Sequence, residues 1–251
     1  VTKANFDFEI NELRKLIASS SKIVFFTGAG ISTESGISDY RSQGGVYERY
    51  RPVTIQEFLS DEESRKEFWR RKKEFYRQHK QARPNPAHLA IANLEKQGKT
   101  TGVITQNIDG LHQAAGSQKV FEIHGTNMET ICLSCSDTAP CLATFQKLLR
   151  GIEIPLCEKC GGLLKTNTIS FGQELNADTL QRSFMLARNC DLMIAVGSSL
   201  VVEPAASIPR RAKESGAHLV IINRETTPLY TAADLNIGSS AGKILQEFVS
   251  N

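Results

Sequence analysis

The sequence predicts an α/β fold: a parallel sheet covered by helices on both faces, carrying a small cysteine module and a charged helical flap. Three observations predict it. Short apolar runs alternate with helical periodicities along most of the chain, the pattern of parallel strands joined through helices. The first run, 23–27, opens directly into a glycine-rich turn. Two stretches, 43–83 and 126–166, break the alternation.

Taken in order, residues 8–20 set Phe8, Ile10, Leu13, Leu16 and Ile17 at helical spacing. Strands are expected at 23–27, 102–106, 168–171, 192–197, 218–223 and 235–238, with helices at 87–96, 177–188 and 204–215 between them. Residues 43–83 mix Phe68, Trp69, Phe75 and Tyr76 with many lysines and arginines and are expected to form helices and loops of a flap beside a ligand. Residues 126–166 hold paired cysteines and read as an insertion. The expected organisation is a Rossmann-like domain from 1–42, 84–125 and 167–251, a helical flap from 43–83 and a zinc-binding module from 126–166. No internal repeat or low-complexity segment is present.

The bulk properties exclude several classes. A length of 251 residues fits one large domain or a domain with an inserted module, and 40% hydrophobic content can supply a core. A net charge of +3 is too small to argue for nucleic acid. No apolar run is long enough to cross a membrane. The first residues lack an apolar signal-peptide core. The expected location is the cytoplasm, with the mitochondrial matrix as the alternative if a targeting segment precedes Val1.

Four motifs carry chemistry. GAGISTESGISDYR at 28–41 follows the first strand, where glycines let a backbone approach a pyrophosphate at a helix N-terminus. The glycine pattern alone is weak: Thr33 stands where a full dinucleotide fingerprint has its third glycine, and no Walker lysine follows. TQNIDGLH at 105–112 ends another strand with side chains suited to ribose hydroxyls and a carboxamide. His124 lies in EIHG at 122–125, and imidazole is the side chain best matched to proton transfer near neutral pH. Cys132, Cys135, Cys157 and Cys160 form two CxxC knuckles with near zinc-ribbon spacing. Four thiolates leave no open coordination position, so the expected zinc, one per chain, is structural. Cys141 and Cys190 are left over, and Cys190 reads as a small core residue.

With these motifs in this order, together with RPNPAH at 83–88, Ser170-Phe171-Gly172, Gly197-Ser198-Ser199-Leu200 and Ile222-Asn223, the chain resembles the sirtuin family of NAD-dependent protein-lysine deacylases over nearly its whole length. Its bacterial and mitochondrial branches are the most similar. The resemblance implies NAD as cosubstrate and acylated protein lysine as partner, with neither a specific nucleic acid nor a membrane. It implies that Gly28, Ala29 and Gly30 cradle the pyrophosphate, with Ser32 among the cofactor contacts. Asp39, Tyr40 and Arg41 are expected along the nicotinamide-ribose side, Gln106 at the ribose, and Asn107 and Asp109 at the carboxamide. Gly197, Ser198 and Ser199 are expected along the adenosine side and Asn223 at the adenine ribose. His124 is the implied general base, with Asn107 beside it in the catalytic set. The peptide is expected to add as a strand between 170–173 and 200–203, so Ser170, Phe171, Gly172 and Leu200 are the substrate contacts. The implied reaction removes an acyl group, acetyl foremost, and yields nicotinamide, O-acyl-ADP-ribose and free lysine.

The chain departs from the family at Ser38, usually proline, at Tyr40, usually phenylalanine, and at Gln173, usually acidic. The branch that removes acidic acyl groups carries Tyr-x-x-Arg in the flap, where Trp69 and Lys72 stand. The far end of the acyl pocket is therefore expected to be more apolar and to lack arginine's planar fork, favouring neutral acyl groups over succinyl. Arg70, Arg71 and Arg77 are the other cations in reach. Three alternatives share some of these features. A mono-ADP-ribosyltransferase would use the same NAD cleavage without needing His124. A binding module on the zinc ribbon would need clustered basic residues in 126–166, which are not notably basic. A dehydrogenase would need an acidic ribose residue, and none follows a second strand.

Overall fold

The computed structural model of the chain describes residues 3–42 and 44–249. In chain order the elements begin with α1 (Lys3–Ser19) and β1 (Ile23–Thr27). Three flap helices follow: α2 (Val46–Arg49), α3 (Ile55–Ser60) and α4 (Glu62–Gln81). Then come α5 (Pro86–Lys96), β2 (Thr100–Thr105), α6 (Leu111–Ala114) and β3 (Val120–Glu122). The cysteine module contains β4 (Gly125–Cys132), β5 (Thr138–Pro140), α7 (Cys141–Leu149) and β6 (Leu164–Thr168). The chain closes with α8 (Ala177–Asn189), β7 (Leu192–Val196), α9 (Ser207–Glu214), β8 (His218–Ile222), β9 (Leu235–Ile237) and α10 (Ala241–Leu245).

Among the described residues, six parallel strands form the main sheet in the order β3-β2-β1-β7-β8-β9. The order reverses between β1 and β7, and ligands bind at such a switch point, outside the carboxyl ends of the strands. Alternation along each strand explains why both faces are apolar. Ile23 and Phe25 pack with Ile194, Val220 and Ile91 on one face, while Val24 and Phe26 pack with Met193, Ile221 and Ile208 on the other. Every residue of β1 and of β7 is buried, the pattern of a doubly covered parallel sheet.

The flap and the cysteine module are not separate appendages. Phe58, Phe68 and Trp69 of the flap share one apolar cluster with Phe145, Leu148 and Leu164 of the module. Tyr76 stacks on Phe145 with centroids 4.1 Å apart, a geometry that adds to simple area burial. A three-stranded antiparallel sheet, β5-β4-β6, underlies this cluster.

Three expectations need correction. The strand expected at 168–171 is absent from the main sheet: Thr168 ends β6, and the chain then turns, with the Gln173 amide donating to the Ser170 carbonyl and Gly172 at φ +80°. The helix expected from 204 begins at Ser207, because the preceding residues form a tighter turn in which the Ser207 amide donates to the Pro204 carbonyl. The glycine loop enters a seven-residue 3₁₀ helix, Ala29–Ser35, rather than an α-helix. The edge strand β3 was not expected from the sequence. No helix among the described residues is long and apolar enough to cross a membrane.

Candidate active site

The loops after β1 and β7 meet at the switch point through their glycines. The Gly30 amide donates to the Gly197 carbonyl at 2.8 Å, and the Gly28 amide donates to Val196 at 3.0 Å. A Cβ at Gly28 would lie 2.8 Å from the Gly197 oxygen, and one at Gly197, whose φ is +60°, would collide with the Ile31 amide. These glycines are thus required for two backbones to touch as well as for any ligand. Two of the loop's amides are spent on this contact. The Ala29 amide opens the 3₁₀ helix, has no intrahelical partner and makes no hydrogen bond among the described residues.

A cavity of about 850 Å³ extends from this loop contact to the flap. Of the expected site residues, it is lined by Gly28, Ala29, Gly30, Asp39, Tyr40, Arg41, Gln106, Asn107, His124, Ser170, Phe171, Gly172, Gly197, Ser198, Ser199 and Asn223. Ser32, Asp109 and Leu200 do not line it. Leu200 is 4% exposed with φ 54°, packed in the core beneath the sheet, whereas the next residue, Val201, is 53% exposed. Of the following residues, Val202, Glu203 and Pro204 line the cavity together with the Phe171 loop. That opposite loop is pinned to α3, whose Ile55 amide donates to the Phe171 carbonyl at 3.0 Å. The Gln173 carboxamide oxygen accepts from the Ser170 amide at 3.2 Å, so this departure from the family pattern stabilises the loop's own turn.

Ser32 and Asp109 stand behind the cavity wall and hold Asn107. The Asn107 amide group donates to Ser32 Oγ at 3.1 Å, and that hydroxyl donates to Asp109 Oδ2 at 2.7 Å. Asp109 Oδ1 accepts from the Leu111 amide at 2.9 Å. Asp109→Asn replaces an acceptor facing the Ser32 hydroxyl with a neutral amide. A hydrogen bond to a charged group contributes about 1.5–3 kcal/mol, so the KM for NAD is expected to rise roughly tenfold or more, with weaker inhibition by nicotinamide. Steady-state kinetics check it, and two unchanged constants would contradict the arrangement.

His124 is oriented by its neighbours. Its Nδ1 lies 3.1 Å from the Gln106 carbonyl. A carbonyl only accepts, so Nδ1 carries the proton and Nε2 keeps its lone pair. Burial pulls the imidazole below its ordinary value, and the Arg41 charge pulls it further, against the opposing effect of the Gln106 bond. The ring is therefore neutral at pH 7, in the form a base needs. The Gln106 side chain is itself held, donating to Ser198 Oγ at 2.7 Å.

The loop between the 3₁₀ helix and α2 closes the cavity from the flap side. The Asp39 carboxylate accepts from the Arg41 and Ser42 amides and the Ser42 hydroxyl, fixing the turn. That turn projects Tyr40 and Arg41. Tyr40, Tyr47 and Phe171 form a chain of rings with centroids 5.3 and 6.1 Å apart, and Arg41 sits 5.3 Å from the Tyr47 centroid. Burial raises the Tyr40 phenol well above its usual value, so it stays protonated.

In the flap, Trp69 is fully buried in the shared core and does not line the cavity. Lys72 does, with Phe68, Arg71, Phe75 and His79. Arg70 is mostly exposed and bound to Glu67, and Arg71 is engaged by Glu67 and the Arg51 carbonyl. The Arg77 side chain lies outside the described residues.

Away from the cavity, the sulfurs of Cys132, Cys135, Cys157 and Cys160 lie within 4.8 Å of one another. Cys132 and Cys160 are 3.5 Å apart and Cys135 and Cys157 3.8 Å. A tetrahedron with Zn–S bonds of about 2.3 Å has edges of about 3.8 Å. The four sulfurs therefore fit zinc, with all four positions taken by protein.

Comparison with known proteins agrees with this geometry. The Sir2 family model matches residues 28–204. An NAD-dependent protein deacetylase of Thermodesulfovibrio yellowstonii is 46% identical over 242 residues, 96% of this chain and 94% of that protein. An NAD-dependent protein deacylase of Archaeoglobus fulgidus is 41% identical over 96% of this chain and 95% of its own. Among solved structures, a Sir2 complex with a p53 peptide and NAD+ superposes with a TM-score of 0.87 at 39% identity, covering 95% of this chain and 96% of that one.

Proposed function

The chain belongs to the Sir2 family, and from that membership we infer that it is an NAD-dependent protein-lysine deacylase, acting foremost on acetyl-lysine. The observation that carries this reading is His124, a half-buried neutral imidazole whose free Nε2 lies in a cavity shared by the glycine crevice and the peptide-facing loops. We assign NAD binding to 1–42, 84–125 and 167–251, with the flap at 43–83 and the zinc module at 126–166. NAD supplies an electrophilic ribose carbon once nicotinamide departs, and the acyl group ends on that ribose. The chain's own residues do the rest. The glycine crevice and the Ala29 amide receive the pyrophosphate. Asn107, held by Ser32 and Asp109, meets the carboxamide. Tyr40 and Phe171 exclude water around the acylated lysine, which raises the value of every dipole inside. His124 Nε2 takes a proton from the ribose hydroxyl, and the Gln106 carbonyl steadies the imidazolium through Nδ1. One water is consumed, attacking the acyl carbon as the lysine amine leaves, so the products are nicotinamide, O-acyl-ADP-ribose and the free lysine. Zinc cross-links the module and takes no part in the chemistry. We place the protein in the cytoplasm, where free thiols persist as metal ligands.

Incubation with an acetyl-lysine peptide tests the reading. Acetyl loss that requires NAD and releases nicotinamide in equal amount is expected, and acetyl loss without NAD would contradict it. The pH profile tests the base. Because His124 titrates below the ordinary 6.5, its active neutral form persists as pH falls through that value and is lost only below it. The acid limb of kcat/KM, which reports the free enzyme, should have its midpoint below 6.5. A midpoint above 6.5 would remove His124 from the role.

A further inference from the structure

His112, in α6, is an imidazole 1% exposed that the reaction above does not use. Its Nε2 lies 2.9 Å from Thr27 Oγ1, at the end of β1. That hydroxyl donates at 2.8 Å to Thr105 Oγ1, at the end of β2, and Thr105 Oγ1 also accepts from the Asn107 amide at 3.0 Å. A hydroxyl has one proton, and the Thr27 proton goes to Thr105. Thr27 therefore accepts from His112, which carries its own proton on Nε2. Nδ1 then holds a lone pair, buried and without a partner among the described residues. Burial keeps the ring neutral, and His88, with its centroid 4.9 Å away, adds to that effect.

A buried ring nitrogen without a partner is costly, and an aliphatic side chain in its place would not incur that cost. What the histidine supplies is the donor at Nε2, and that donor closes a circuit around Asn107. Along one arm the Asn107 side chain donates to Ser32, Ser32 donates to Asp109, and Asp109 accepts from the Leu111 amide at the start of α6. Along the other arm the Asn107 main-chain amide leads through Thr105 and Thr27 to His112, the next residue of the same helix. Both ends of Asn107 are thus tied to one helical turn. The relay hydroxyls are shielded from solvent, with Thr27 fully buried and Thr105 2% exposed. In such surroundings the bonds of a chain strengthen one another.

We propose that His112 is a positioning residue for NAD cleavage: its Nε2 proton, through Thr27 and Thr105, fixes the Asn107 main chain so that the Asn107 side chain meets the nicotinamide carboxamide. The proposal rests on the deacylase reading and adds no chemical step to it.

The test measures the KM for NAD, the KM for an acetyl-lysine peptide and inhibition by nicotinamide. His112→Leu should raise the KM for NAD at least about fivefold, the scale of one neutral hydrogen bond. Nicotinamide inhibition should weaken by a similar factor, with the KM for peptide nearly unchanged. His112→Gln, whose amide can place an N–H where Nε2 stands, should restore both constants to within about twofold of wild type. Thr27→Val breaks the same relay without touching the imidazole. It should raise the KM for NAD as His112→Leu does, and it carries the test if His112→Leu does not fold. The double variant should be no worse than either single one, because both remove one link. An unchanged KM for NAD in Thr27→Val, equal losses with leucine and glutamine, or single effects that multiply in the double variant would overturn the inference and leave the deacylase reading intact. So would KM values for NAD and peptide that rise together, the sign of looser packing and not of positioning. Wild-type protein that removes no acetyl in the presence of NAD would instead remove the deacylase reading and the inference with it.

Discussion

Replacing His124 with alanine is expected to lower kcat/KM for an acetylated peptide by roughly 100-fold or more, the usual range for loss of a general base. The fold should survive, because among the described residues the His124 side chain makes one hydrogen bond, to the Gln106 carbonyl, and the main-chain bond from Ile169 is kept by alanine. NAD binding should also survive, because the glycine contact at Gly28, Gly30 and Gly197 does not involve it. The loss should therefore appear in turnover, with the dissociation constant for NAD nearly unchanged. Gln106→Glu would not mimic it, since the orienting acceptor is the main-chain carbonyl. A His124→Ala variant with near-wild-type turnover would show that the proton leaves by another route.

The second large effect concerns a site remote from the chemistry. Cys132→Ser or Cys157→Ser is expected to release the metal and destabilise the protein by roughly 3 kcal/mol or more, since a closed thiolate site contributes directly to folding. For a chain of this size that corresponds to about 6–12 °C in Tm. Both cysteines lie in the same apolar cluster as Phe58, Phe68 and Trp69. Loss of zinc should therefore loosen α4, and the KM for peptide should rise although no zinc ligand lines the cavity. Metal analysis and thermal melting decide it. Wild-type protein without zinc, or a variant with unchanged Tm, would contradict the assignment.

The parts of the fold legible in the sequence were those with a local cause. β1 was expected at its observed bounds because five consecutive apolar or small residues fit a strand covered on both faces. The two cysteine knuckles were legible from spacing alone. β6 was not, because its residues Leu164–Thr168 are mostly polar. It is buried by pairing with β4 and by bonds from Lys165 to nearby carbonyls and between the Thr166 and Thr168 hydroxyls. Nor could the sequence show that flap and cysteine module share a core, since that depends on contacts between distant segments. In the site, residue types were legible but their facing was not. Asp109 and Leu200 belong to the right loops, yet one stands behind the wall and the other turns inward at a left-handed φ.

The destination of the acyl group tests the account most directly. Wild-type protein incubated with NAD and an acetyl-lysine peptide should yield O-acetyl-ADP-ribose, nicotinamide and deacetylated peptide in equal amounts, identified by mass spectrometry. ADP-ribose attached to protein with the peptide still acetylated, or free acetate with NAD intact, would contradict it.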